Sequence, residues 1–260
     1  MLITLSPSKG QDFETPSLSK TYSKPESLED SELLIKELRK IKQKDIQALM
    51  SVSENIAKLN ADRYKSFKTP FTTKNAKQAI FAFKGDVYSG IAIDQYQEAD
   101  LKYAQNHLRI LSGLYGCLRP LDLIQPYRLE MKTKLGNVRG DNLYQFWGDR
   151  ITEELNKQLE KQRDPVLVNL ASNEYFKSVK PKKLKGRLLN INFKETKDGK
   201  TRIVAIFAKR ARGMMADYIL RNRIENANDI KKFRAGGYRF SRDLSDDGQW
   251  TFVRPQPPSA

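Results

Sequence analysis

The sequence predicts an α+β fold, a compact single domain in which a mixed β-sheet is surrounded by helices. Three observations predict it. The first third of the chain reads as helical, and the final third carries most of the strand signals. Two short apolar runs, at 2–5 and 166–170, have the length of buried strands and tie the two regions together. No repeat, heptad array or long linker divides the chain, so 1–254 reads as one domain and 255–260 as a Pro-rich tail expected to fray.

Taken in order, Leu2 to Leu5 form a short buried strand, and 6–26 is a polar loop rich in Ser, Thr, Pro and Lys. Ser27-Leu28-Glu29-Asp30 has capping-box spacing, and Leu34, Leu38 and Ile41 follow at helical intervals. Helical patterns continue over 43–50, 53–66 and 74–83, with Ala76, Ala79, Ile80 and Phe83 sharing a face in the last. A helix over 98–111 must turn at Gly113-Leu114-Tyr115-Gly116, because Arg119-Pro120 forbids a simple continuation. Leu129 to Met131 is predicted extended after Pro126. Asp141 stands where it would cap the clearest helix, whose stripe is Leu143, Trp147, Ile151, Leu155 and Leu159.

Val166 to Leu170, after Pro165, is a buried strand, and 172–186 holds a short helix closed by Pro181. The runs 187–193 and 201–207 flank Lys197-Asp198-Gly199-Lys200, a hairpin signal. A helix fits 208–224. Tyr238 to Phe240 and Trp250 to Val253, around Asp246-Asp247-Gly248, give a second hairpin.

Apolar residues at 39% suit a globular protein rather than a disordered one. Lys plus Arg is 47 against 31 Asp plus Glu, a net charge of +16 that favours polyanion partners, nucleic acid first. The sole cysteine, Cys117, excludes an intrachain disulfide. MLITLSPSKG lacks the pattern of a signal peptide, and no apolar run reaches the roughly 18 residues of a membrane helix. The expectation is a cytoplasmic protein without membrane association, and the sequence implies no protein partner. With one histidine (His107), one cysteine, and neither G-x-G-x-x-G nor a Walker loop, no metal or cofactor is predicted.

Five groups of residues carry candidate chemistry, each beside a plainer reading. Arg109, Gly113, Leu114, Tyr115, Gly116 and Arg119 could present backbone N–H and guanidinium groups to phosphate, or form a tight turn with solvated arginines. Lys209, Arg210 and Arg212 fall in the first turn of a predicted helix. Cations there oppose the helix dipole unless an anion sits at that end; the alternative is a solvated basic face. Lys177, Lys180, Lys182, Lys183, Lys185 and Arg187 follow Tyr175 and Phe176, a pattern suited to phosphate contact or simply to solvent. Three such clusters in one domain suggest a shared basic surface.

Ser6-Pro7-Ser8-Lys9 has the S-x-x-K spacing of some acyl-transfer enzymes. Pro7 and an upstream strand disfavour the required helix, and neither S-D-N nor K-T-G occurs. Lys84, Asp86, Arg128 and Glu130 are charged residues within apolar or aromatic stretches, so if buried they must pair. With Tyr88, Tyr115 and Tyr127 nearby they would make either an active-site-like pocket or a structural ion-pair network. Ser6, Lys9, Lys84, Asp86, Arg128 and Glu130 are thus the candidates for an alternative function, an enzyme acting on a small anionic or nucleic-acid substrate.

MLITLSPSK, FKGDVYSG, HLRILSGLYGCLRPLDLIQPYRLEM, LYQFWGD, NLASNEYFKSVKPKKL and AKRARGMM together resemble the YaaA family of bacterial peroxide-stress-resistance proteins, from Met1 to about Phe252. The resemblance implies a compact α+β domain with a positively charged cleft and a helix-hairpin-helix-like DNA-binding element. It implies association with duplex and branched DNA, and with limiting free intracellular iron under hydrogen peroxide stress. That element falls most naturally on 104–124, with its hairpin at Gly113 to Gly116, although two residues rather than one separate the glycines. The resemblance assigns no catalytic residues.

Overall fold

The computed structural model describes residues 1–257. The first strand, β1 (Leu2–Leu5), is buried on both faces, as a strand with neighbours on either side and helices above and below must be. After the short strand β2 (Gly10–Gln11) come α1 (Leu28–Leu38), α2 (Gln43–Met50) and α3 (Glu54–Ser66), close to their predicted spans. Ser27 precedes α1, but its hydroxyl donates to Glu154 rather than accepting from the helix, so the predicted capping box does not form there. A capping box forms instead at Gln97 and Asp100, opening α5 (Glu98–His107).

The helix predicted over 74–83 is replaced by β3 (Lys77–Gln78), the single turn α4 (Ala79–Ala82) and β4 (Phe83–Lys84). Backbone pairing decides this: β3 pairs with β7 (Leu123–Ile124) and β4 with β2. The helix predicted over 98–111 stops at His107. Leu108 to Ser112 become strand β5, joined by a turn to the antiparallel β6 (Gly116–Leu118). All five residues of β5 are buried, so period alone could not separate strand from helix.

Asn142, not Asp141, caps α6 (Leu143–Trp147), accepting from the Gln145 N–H at 3.0 Å. Gly148 (φ +51°) then divides the predicted single helix from α7 (Arg150–Leu159). Residues 129–131 are in no strand. Beyond these, β8 (Val166–Asn169), α8 (Asn173–Phe176), β9 (Arg187–Lys197) and β10 (Lys200–Arg202) follow. The second arm of the first hairpin is shorter than predicted, since α9 (Ala205–Arg221) begins at Ala205. β11 (Arg239–Ser241) and β12 (Gln249–Pro255) form the second hairpin. Pro255 belongs to β12 and the Gln256 N–H donates to Thr196 O at 2.9 Å, so the tail is anchored that far. Residues 258–260 of the predicted tail lie outside the described residues.

The main sheet has eight strands in the order β11-β12-β9-β8-β1-β5-β6, with β10 paired to β9. Its five central strands are parallel and the remainder antiparallel, a mixed sheet in an α+β chain. One face carries Thr4, Arg109, Asn169 and Asn190 in register, and Arg109 reaches Gln158 on α7. The other carries Phe193 and Glu195; Phe193 packs on Phe233 and Tyr238, and Glu195 accepts from the Val204 N–H at the start of α9. α7 and α9 therefore cover opposite faces. The parallel strands send their carboxyl ends to one edge, where connecting segments diverge and leave a crevice.

Candidate functional site

At that edge the segment leaving β1, Ser6 to Lys9, meets the segment leaving β8. The Ser172 N–H donates to Ser6 Oγ at 2.8 Å, the two hydroxyls stand 3.3 Å apart, and Tyr88 OH donates to Ser6 O at 3.1 Å. Ser6 thus ties two strand exits together and has no base beside it. Lys9 does not turn towards Ser6. Its Nζ lies 3.2 Å from Glu130 Oε1, so the S-x-x-K spacing makes no nucleophile pair.

The same Glu130 oxygen takes Arg128, through Nη2 at 3.0 Å and Nε at 3.1 Å. Glu130 is 6% exposed. The segment carrying it is pressed against the turn after β5. A Cβ on Gly113 would stand 2.2 Å from Leu129 O, so only glycine lets the chains approach. Tyr127 OH lies 2.7 Å from Ser112 Oγ on the last residue of β5. Burial pushes the phenols of Tyr88, Tyr127 and Tyr175 above their ordinary values, so they remain protonated at neutral pH.

Lys9, Arg128 and Glu130 therefore converge, whereas Ser6 is held by Ser172 and Tyr88. Lys84 and Asp86 do not join that cluster. Lys84 Nζ pairs with Asp12 at 3.4 Å, and Asp86 with Lys209 at 3.7 Å. The Lys84 backbone still adjoins the site, since its carbonyl accepts from Ser8 Oγ. Sequence reasoning missed Asp12, which lies in a polar loop with no pattern to single it out, named Ser8 only within Ser6-Pro7-Ser8-Lys9, and gave Tyr175 only as an aromatic before a basic run.

The proposed hairpin element is corrected. Gly113 to Gly116 is the turn of a β-hairpin, and all four residues are buried. Trp147 Nε1 donates to Gly113 O at 3.0 Å, and the Trp147 ring lies against Gly116, whose φ is +70°. The turn cannot offer its N–H groups to DNA. Arg109 is buried as well, with Nη1 donating to the carbonyls of Gln105 (2.9 Å) and Leu108 (2.8 Å). Arg119 pairs with Asp122 at 2.9 Å and Glu26 at 3.5 Å. This first basic cluster holds loops together.

The second cluster lies on the α7 side of the sheet. There Lys183 pairs with Asp149 and Lys185 with Glu160, and Lys177 Nζ sits 5.3 Å above the Tyr144 ring. Lys180 and Lys182 have no ion pair among the described residues. The third lies on α9, across the sheet from α7. Because α9 starts at Ala205, Lys209, Arg210 and Arg212 occupy its second turn and beyond, and the argument from a helix end does not apply. Arg210 is exposed and Arg212 half-buried, and neither makes an ion pair among the described residues. Burial lowers the Arg212 pKa. The first of the three clusters is internal, so at most the other two can share a surface.

The comparisons with known proteins fit this full-length construction. The family described as "Peroxide stress protein YaaA" matches residues 1–244. The chain belongs to the YaaA family of peroxide stress proteins. Relatives named UPF0246 protein share this length: one from Shewanella loihica is 52% identical over 98% of this chain and 99% of its own. Others from Cellvibrio japonicus and Colwellia psychrerythraea are 49% and 50% identical, over 99% and 98% of this chain and the whole of theirs. No helix of this YaaA-family chain, among the described residues, is long and apolar enough to cross a membrane. Nor do three His, Cys, Asp or Glu side chains gather there to hold a metal ion.

Peroxide stress draws the eye to Cys117, which is buried on β6. Burial pushes its thiol well above the ordinary value, so the reactive thiolate is scarce. Nearby, Ser27 Oγ donates to Glu154 on α7. Burial pushes the Glu154 carboxyl up to about 7, against the lowering effect of the Ser27 bond. A carboxyl raised on folding opposes the folded state once ionised, so stability falls as pH climbs from about 4.5 towards 7 and stays lower above. Glu154→Gln is expected to gain about 2 kcal/mol at pH 8, the full shift being discounted for a half-buried side chain, and nothing at pH 4. Urea midpoints at the two pH values check this.

Proposed function

We propose that this YaaA-family chain serves the peroxide stress response by binding duplex or branched DNA through phosphates, without reading base sequence. The observation that carries the reading is the set of cations without a carboxylate partner among the described residues: Lys180 and Lys182 on one side of the sheet, Arg210 and Arg212 on the other. In a chain of net charge +16, such groups suit an external polyanion, and a half-buried unpaired guanidinium gains most from one. The sequence carries no base-reading helix pattern, so discrimination would come from DNA shape. Limitation of free iron would then be indirect, exerted through the DNA-bound protein.

Fluorescence anisotropy of labelled duplex, branched and single-stranded DNA across a salt series tests this. With about five to eight phosphates engaged, the log–log slope is expected at roughly −4 to −7. Replacing Lys180 and Lys182 together with alanine should flatten it by about two. Weak binding, alike to every polyanion, would reduce the charge to a matter of solubility.

A further inference from the structure

We propose that the recess beside Glu130 is a binding site for a small organic anion that carries a hydroxyl close to its charged group. Both cations in contact with Glu130 crowd onto Oε1. Oε2 is buried and has no hydrogen-bond donor among the described residues. A carboxylate oxygen in that state is costly unless something supplies a proton donor.

The surrounding groups do not supply one. Glu130 lines a small recess together with Ser8, Lys9, Gln11, Tyr127, Arg128 and Tyr175. Ser8 Oγ donates to Lys84 O and the Tyr127 hydroxyl shares a hydrogen bond with Ser112 Oγ, and neither reaches Oε2. The space is roughly that of one water, enough for the hydroxyl of a ligand whose remainder stays outside.

Charge at the mouth fixes the nature of that remainder. Two cations that line the recess, Lys9 and Arg128, share the single carboxylate of Glu130. The Lys9 side chain is 64% exposed, so its ammonium is open to an incoming anion. An anion on Lys9 and Arg128, with a neighbouring hydroxyl donating to Oε2, would give that oxygen the donor it lacks. Position supports it too, since ligands of open sheets with parallel strands lie outside the carboxyl ends.

Isothermal titration calorimetry on the full chain, with glycerol 3-phosphate, methyl phosphate and glycerol as probes, separates the two requirements. Glycerol 3-phosphate is expected to bind about tenfold tighter than methyl phosphate, and glycerol not at all. Glu130→Gln should abolish that preference while leaving methyl phosphate binding in place. Lys9→Met, at an exposed side chain, should weaken both charged probes and decides the matter if the Glu130 variant does not fold. Equal affinity for the two phosphates, an unaltered preference in Glu130→Gln, unchanged binding in Lys9→Met, or no binding of any probe at millimolar concentration would each overturn the proposal. The last outcome would leave an ordered water as the occupant of the recess.

Discussion

Replacing Gly213 with alanine is expected to destabilise the protein by about 3 kcal/mol or more, although the same change inside a helix ordinarily gains up to about 1 kcal/mol. Gly213 lies in the middle of α9, where the helix crosses the 3-10 turn Tyr88–Gly90. A Cβ there would stand 1.8 Å from Val87 O, and one on Gly90 would stand 2.3 Å from Arg210 O. Two backbones touch, so no side-chain rotation relieves the overlap and the elements must part. The Ala92 N–H bond to Asp217 (3.1 Å) and the Lys209–Asp86 pair span the same seam and would be strained with it. A thermal or urea unfolding curve decides the question. A neutral or stabilised alanine variant would mean that the two backbones lie further apart.

The second large effect is expected for Arg119→Ala. Asp122 is fully buried, and the Arg119 side chain donates to it through Nε (3.1 Å) and Nη2 (2.9 Å). Ser23 Oγ at 2.6 Å and the Arg119 N–H at 2.8 Å would remain as donors, but the compensating charge would be gone. The loss is expected to be about 3 kcal/mol or more at pH 7. Burial already raises the Asp122 carboxyl above its ordinary 3.8 in spite of the arginine, and removal of the guanidinium raises it further. The deficit should therefore grow as pH rises past the titration of the wild-type carboxyl, above 3.8, and shrink in acid, where Asp122 is protonated in both folded proteins. The salt dependence of the proposed DNA binding should not change. A flattened slope with stability intact would place Arg119 in the DNA interface and contradict its assignment as an internal brace.

The candidate site was legible in part. Charged residues within apolar stretches pointed to Lys84, Asp86, Arg128 and Glu130, because a charge left unpaired in the interior is costly. Which partner each would choose was not legible. Glu130 takes Lys9 from the loop after β1, whereas Lys84 turns to Asp12 and Asp86 to Lys209 on α9. Those pairings depend on where strand exits and helices meet, and no local spacing encodes that. The basic clusters divided for the same reason. Arg109 sits on a strand buried on both faces, while Lys182 and Arg210 remain in solvent.

By itself, the sequence determined the α+β class, the buried strands at 2–5 and 166–169, the first three helices, both C-terminal hairpins and, through its long distinctive words, the family. Those signals are local, resting on residue type, turn chemistry and short-range period. Only the tertiary structure decided that Leu108 to Leu118 is a β-hairpin and not a helix with a phosphate-binding turn. A central strand covered on both faces is apolar throughout, as a buried helix is, and pairing with β1 is what selects the extended form. The tertiary structure likewise decided that one oxygen of Glu130 is buried without a donor among the described residues, because that burial arises where three distant segments close on one another.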